Sequence, residues 1–252
     1  MNLQVLENFE PIGLDNIGKA NFMNRVDSKF PLSSEVLFTK VLPKIANDYY
    51  VLQINGLEYM AYETVYFDTP DNRFFTDHQN GKLDRYKVRK RSYLDTNNSF
   101  LEVKHKNNKG KTKKKRIEVF TPLSEITPEE YEFLAKQQPF NPQDLKKVIT
   151  NRFHRITLVK KDMGERCTID NELTFIDENA SRVENGFSIV ELKHEAHAPA
   201  SPLRMALAEA GVKQQGFSKY CMGRVLNKQH GLKANIFKMK LRLVQKNAKV
   251  SL

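Results

Sequence analysis

Charged and apolar residues alternate with a period of two over four separate stretches of this chain. That is the spacing of a β-strand, in which side chains two apart share a face. Arg85, Lys87, Arg89 and Arg91 project together, while Tyr86 and Val88 face the other way. Glu102, Lys104 and Lys106 oppose Leu101 and Val103. Arg166, Thr168, Asp170 and Glu172 oppose Cys167, Ile169 and Leu173, and Glu191 and Lys193 oppose Val190 and Leu192. Helix-start chemistry stands elsewhere. Thr127-Pro128-Glu129-Glu130 combines an N-cap, a proline at the first helical position and a capping acid. Ser201-Pro202 opens a helix that Gly211 stops. Ser33-Ser34-Glu35 opens a third through Leu37 and Val41, which Pro43 bends or ends. Asn235 to Val250 alternates Phe237, Met239, Leu241 and Leu243 with Lys238, Lys240 and Arg242, and predicts an edge strand or a surface-associated tail.

An antiparallel sheet with one face in water is the ordinary source of such alternation. Solvated faces, however, mix signs and include Thr, Ser and Gln, whereas these rows are dominated by Arg and Lys with isolated Glu. A barrel with its polar side inward would turn all four rows toward one lumen. That lumen would need a polyanion or metal ions to offset the repulsion.

Charge changes the picture further. The 252 residues carry a formal net charge of +11, and Lys82 to Arg116 holds 14 Lys and Arg against the three acids Asp84, Asp95 and Glu102. Asn227 to Leu252 adds seven cations and no acids. An anionic partner is the default expectation. With 40% apolar and 28% charged residues the chain is a folding one. No run approaches the ~18 apolar residues of a membrane span. Met1 to Glu7 lacks the regions of a signal peptide. Two cysteines, Cys167 and Cys221, exclude a disulfide scaffold or a thiol-ligated metal site and point to a reducing, cytoplasmic setting.

A series of short motifs is familiar as a set: Arg25-Val26-Asp27-Ser28-Lys29-Phe30, Val65-Tyr66-Phe67-Asp68-Thr69, Arg85 to Tyr93, Leu101-Glu102-Val103-Lys104, Asn151-Arg152-Phe153-His154-Arg155, Ile169 to Thr174, Val190-Glu191-Leu192-Lys193 and Phe217-Ser218-Lys219-Tyr220. In this order they resemble the VTC-type polyphosphate polymerase domain of the triphosphate tunnel metalloenzyme (CYTH-like) superfamily. The resemblance implies an α+β fold, an antiparallel β-barrel (triphosphate tunnel) with flanking helices. It also implies a single domain over residues 1–252, with a core of about 25–224 and a basic C-terminal extension, 225–252.

The activity it implies is transfer of the γ-phosphoryl group of ATP onto a growing inorganic polyphosphate chain, with Mn²⁺ or Mg²⁺ bridging the phosphates. By motif position Arg89, Arg91, Lys104, Arg155 and Lys219 are the expected catalytic cations. Lys29, Arg85, Lys87, Lys115, Arg166 and Ser218 are expected to bind substrate, and Glu191 to hold the metal. Ser218 also suits a helix cap. Glu102 and Glu172 are expected to orient arginines, and His78, His105 and His154 to pack or face solvent. Phe153 stands where the family often has Tyr, which removes a phosphate hydrogen bond. The partners implied are ATP and polyphosphate. A membrane span is absent from this chain, so coupling to transport would need a separate membrane partner.

Two alternatives stay open. A triphosphatase of the same fold would hydrolyse inorganic or nucleoside triphosphate, but the Glu-x-Glu-x-Lys signature of such enzymes is missing near the N-terminus. A non-catalytic polyphosphate or polyanion binder comes from a different class. Nucleic acid is disfavoured, because no helix-turn-helix, RNP-type aromatic motif or zinc finger is recognisable.

Overall fold

A computed structural model describes residues 2–17, 25–120, 122–137 and 140–250. Met1, the side chain of Arg25 and the last two residues of the basic extension, all part of the sequence argument, lie outside the described residues. The strands are β1 (Glu10–Ile12), β2 (Arg25–Ser33), β3 (Tyr49–Leu52), β4 (Met60–Asp68), β5 (Arg85–Tyr93), β6 (Asn98–Lys106), β7 (Thr112–Glu118), β8 (Lys146–Lys160), β9 (Glu165–Ile176), β10 (Ser181–Glu184) and β11 (Phe187–Glu195). They form one sheet in the order β2-β11-β9-β8-β4-β5-β6-β7, with antiparallel neighbours along this path. β10 pairs with β9, and β3 bridges β8 and β1. All four strands expected from alternation are present as β5, β6, β9 and β11.

Among the described residues no pairing joins β2 to β7, so the sheet is open. The α+β character holds, but the expected closed β-barrel does not form. Both edges carry the reason. β7 contains Lys113, Lys114, Lys115 and Arg116 in succession, all exposed, and consecutive cations on an edge strand resist pairing. The outer edge of β2 is already in use, because the Gln215 N–H donates to the Lys29 carbonyl at 2.8 Å.

Eight helices surround the sheet among the described residues: α1 (Leu14–Ile17), α2 (Ser34–Val36), α3 (Leu42–Ile45), α4 (Arg73–Gln79), α5 (Pro128–Ala135), α6 (Pro202–Glu209), α7 (Lys219–Leu226) and α8 (Asn235–Ala248). Thr127 and Glu130 close the capping box of α5, and Ser201 caps α6 through the Arg204 N–H at 3.3 Å. Between α2 and α3 the chain widens into a π-helical turn, Leu37–Val41. Pro43, which has no N–H and would crowd the carbonyl four residues back, is thus admitted without ending the segment. The expected strand or tail after Asn235 is a correction: it is helix α8. Phe237, Leu241, Val244 and Ala248 recur at helical spacing and bury together, and this period prevails over the apparent alternation.

Two layers follow. On the outer face Ile156, Leu158, Ile169, Val190 and Leu192 pack under Leu37, Val41, Leu42, Leu203 and Leu207. On the inner face Tyr66, Phe153, Leu173, Phe175 and Ile189 pack against Tyr220, Cys221 and Phe237 of α7 and α8. A bulge makes this division. The β8–β9 register slips between Arg152 and His154, and Glu172 takes a left-handed φ of 52°. Residues 166, 168 and 170 therefore stay on the charged inner row, while Leu173 and Phe175 turn to the same face as apolar packing. Gly223 lets α7 sit down on that packing, since a Cβ there would lie 2.3 Å from Phe175 Cδ1. The outer face also holds an ion pair. Lys90, fully buried, meets Glu130 of α5 at 2.8 Å and donates to the Pro122 carbonyl at 3.1 Å.

Candidate functional site: a basic inner face

Strand register assembles the site. Lys87, Lys104 and Lys114 stand directly opposite one another across β5, β6 and β7. Arg89 faces Tyr66 on one side and Glu102 on the other, and Glu102 faces Arg116. On the far side of the sheet Lys29 faces Glu191, Lys193 faces Arg166, and Arg155 faces Asp170. Like charges placed directly across strands are destabilising. The fold accepts that cost along a whole ladder of lysines.

Three carboxylates organise the cations. Glu102 is clamped between the Arg89 guanidinium, at 2.5 and 2.7 Å, and Lys114 at 2.8 Å. Asp170 takes a two-point contact from Arg155 at 2.6 and 2.9 Å and a further bond from Lys219. Glu191 bonds Lys29 and lies 3.6 Å from Lys193. Burial works to raise all three carboxyls, but the surrounding cations hold each well below the usual carboxylate range. All three are therefore ionised.

Even so, positive charge is in excess. Arg91 has no carboxylate partner among the described residues: its Nε–H donates to Thr64 Oγ1 at 3.3 Å, and burial, Arg89 and Arg155 push its pKa down. Lys87 donates to Ser218 Oγ at 3.1 Å and is pushed down chiefly by burial. Lys104 feels Arg89, burial and Arg91, and its pKa falls from 10.5 to about 6. Lys219 is lowered by burial to about 8, against the opposing pull of Asp170. Lys87 on β5 bonds Ser218 while Lys219, the next residue, bonds Asp170 on β9, so the chain at Ser218 and Lys219 joins the two halves of the sheet into one charged site.

Helix α7 completes the face. Ser218 caps it, accepting from the Cys221 N–H at 3.4 Å, which sets Lys219 at the helix start above Asp170. Phe153 carries the Lys219 ammonium 4.5 Å from its ring centroid and the Arg155 guanidinium at 5.3 Å, so phenylalanine here is a cation platform. A buried hub anchors the helix. Asp68 accepts from Tyr220, from Arg224 at 2.9 Å, and from the N–H groups of Phe74 and Phe75 at 2.8 and 3.1 Å.

The structure thus brings Lys29, Lys87, Arg89, Arg91, Lys104, Arg155, Arg166, Glu191, Ser218 and Lys219 onto one face. Arg85 lies in the same row at its outer end, with its guanidinium on the Lys82 carbonyl at 2.7 Å. Lys115 stands opposite Val103 and points to the other face; Lys114 reaches Glu102 instead. The five-residue Asn107–Lys111 turn, with Gly110 at φ 75°, fixes that register. Glu172 does not orient an arginine, since its bulge turns it to His154 at 3.0 Å. His78 packs on Phe237, His105 bonds Asp84, and His154 stacks on Tyr59. Asp170, Lys193 and the Asp68 hub received no binding role from the sequence. For Asp170 the signal was available, as it lies in the same period-two row as Arg166.

The family model described as the VTC domain matches residues 24–227. The chain belongs to this family. Comparison with curated proteins gives no match. Among solved structures it is similar to a Hippeastrum protein named as an adenylyl cyclase and described as having a dominant triphosphatase activity, at 13% identity and TM-score 0.48, covering 81% of this chain and 96% of that one. A Vibrio parahaemolyticus protein named as an adenylate cyclase matches at 12% identity and TM-score 0.45, over 79% and 97% of the two chains. A conserved hypothetical protein from Pyrococcus furiosus matches at 14% identity and TM-score 0.42, over 75% and 92%. These three likenesses carry no functional weight.

Proposed function

We propose that the protein is a polyphosphate polymerase that transfers the γ-phosphoryl group of ATP onto an inorganic polyphosphate chain on the basic inner face. The observation that carries this is the excess of cations on that face, where Lys87, Lys104 and Lys114 stand directly opposite one another and Arg91 has no carboxylate partner among the described residues. Phosphoryl transfer needs mostly positioning and charge stabilisation from the protein. Arg91 supplies a planar fork that takes two phosphate oxygens, Arg89, whose Nε and one Nη hold Glu102, adds its remaining N–H groups, and Arg155 supports them from the opposite half. Lys29, Lys87, Lys104 and Lys219 act as mobile point charges that lower the repulsion between two polyanions. The attacking group, a chain-end phosphate oxygen, is already ionised and needs no strong base.

Mn²⁺ or Mg²⁺ belongs to the proposal. Among the described residues no group of three His, Cys, Asp or Glu converges. A hard cation that keeps waters and takes phosphate oxygens needs only one or two protein carboxylates. Glu191, ionised and on the same face, fits that requirement once Lys29 exchanges to a phosphate. Such an ion supplies Lewis acidity at a phosphate oxygen. The setting that fits ATP use and the two buried thiols Cys167 and Cys221 is the cytoplasm. The test is incubation with ATP and Mn²⁺, with products resolved on a gel. Long phosphate chains support the polymerase. Orthophosphate alone would make it a triphosphatase, and no product with tight polyphosphate binding would make it a binder.

A further inference from the structure

We propose that α8 docks the protein onto an anionic lipid surface. Its inward stripe is fixed to the body of the molecule, with the Phe237 ring centroid 5.4 Å from that of Phe75 and Leu241 and Val244 buried. Its outward side leaves Ile236, Met239 and Leu243 exposed by 38%, 55% and 45%. Their spacing of three and four residues places them along one ridge. Lys238, Arg242 and Lys246, all exposed at four-residue spacing, run along one side of that ridge; Lys240, half-buried with its ammonium 5.6 Å from the Phe237 ring centroid, lies on the other, and Lys233 and Lys249 stand at its two ends.

Two duller explanations fail on the residues. A helix dressed only for solubility mixes charge signs, whereas Asn227 to Leu252 contains seven cations and no acids. A helix dipole favours cations in the last turn and disfavours them in the first. Lys246 and Lys249 satisfy that rule, but Lys233 and Lys238 sit at the wrong end and no acid stands in the first turn. Apolar side chains on a ridge between cationic flanks are the chemistry of a helix lying in a headgroup layer. Anionic lipid attracts the flanks and the acyl boundary takes Ile236, Met239 and Leu243. At 14 residues α8 lies on the surface, and no helix among the described residues is long and apolar enough to cross a membrane.

The test is co-sedimentation of the full chain with vesicles of phosphatidylcholine, alone or with about one third phosphatidylglycerol, at near-physiological salt. Wild type should pellet with the anionic vesicles only. The double substitution Met239→Ser and Leu243→Ser should cut that partitioning about tenfold or more, while the thermal melt and tripolyphosphate binding stay unchanged. Saturating tripolyphosphate should leave vesicle binding in place, because the ligand fills a different face. Equal pelleting of wild type and the double variant would overturn the proposal, and so would displacement by tripolyphosphate, which would assign the lipid contact to the inner face. Absence of vesicle binding together with a dimer that the same substitutions dissociate would also overturn it, making the ridge a self-association surface.

Discussion

Replacing Lys104 with arginine should tighten anion binding in alkaline solution and leave it unchanged in mild acid. With its pKa near 6, Lys104 is about 1% protonated at pH 8. A triphosphate bound against it restores the charged form, so wild type must take up from solvent about one proton at Lys104 and about half a proton at Lys219, whose pKa is near 8. The sign follows from linkage. Binding that takes up protons weakens as pH rises, here by about tenfold or more per unit around pH 8. Arginine stays charged throughout and carries no such cost. Lys104→Arg should therefore bind tripolyphosphate up to about 100-fold more tightly than wild type at pH 8, with the two converging near pH 6. Titration calorimetry in two buffers of different ionisation heat measures the uptake. Wild type should take up about one proton more than the variant. The same linkage in the free protein makes stability rise with pH between about 6 and 10.5, since the unfolded chain holds the proton that folded Lys104 lacks. Equal proton uptake by wild type and Lys104→Arg would refute the claim that Arg89 and Arg91 suppress this lysine's charge.

Arg91→Ala should weaken tripolyphosphate binding while leaving the melting temperature equal or higher, because it removes a cation without a carboxylate partner; a lowered melt with intact binding would contradict its placement. Arg89→Ala should instead lower stability by about 3 kcal/mol, since Glu102, only 1% exposed, keeps Lys114 alone. Glu130→Ala, which takes the carboxylate away from the buried Lys90 ammonium, should cost about 3–5 kcal/mol in a denaturant melt, whereas joint replacement of Lys90 by Met and Glu130 by Gln should recover most of it. Gly223→Ala should destabilise by about 1–3 kcal/mol despite better helix propensity, because its methyl meets Phe175 at 2.3 Å; an unchanged melt would show that α7 is free to shift.

Local rules made much of this molecule legible. The rows Arg85 to Arg91 and Glu102 to Lys106 alternate cleanly, so strand and face follow from period two. The caps at Thr127 and Ser201 name their helices. What escaped depends on contacts far apart in sequence. Closure of the sheet is decided by the edges, where Lys113 to Arg116 repel a partner and Gln215 already occupies β2. The bulge at Glu172 turns a side chain that strict alternation assigns to the inner row. In Asn235 to Val250 helical and strand periods overlap, and joint burial of Phe237, Leu241, Val244 and Ala248 selects the helix. The Asp68 hub joins residues about 150 positions apart, as no local pattern can. The basic face was readable because repulsion between lysines across strands has to be offset by something. The acids that orient it depended on which carboxylate lay opposite which cation.

Transfer of phosphoryl groups to a growing chain is measured by phosphate balance in a reaction with ATP, Mn²⁺ and a short polyphosphate primer. ADP and acid-insoluble phosphate are counted over time for wild type and Glu191→Gln. Wild type should gain one polymer phosphate per ADP formed, and the variant should lose that gain with tripolyphosphate binding retained. ADP matched by free orthophosphate, with no growth of the primer, would contradict it.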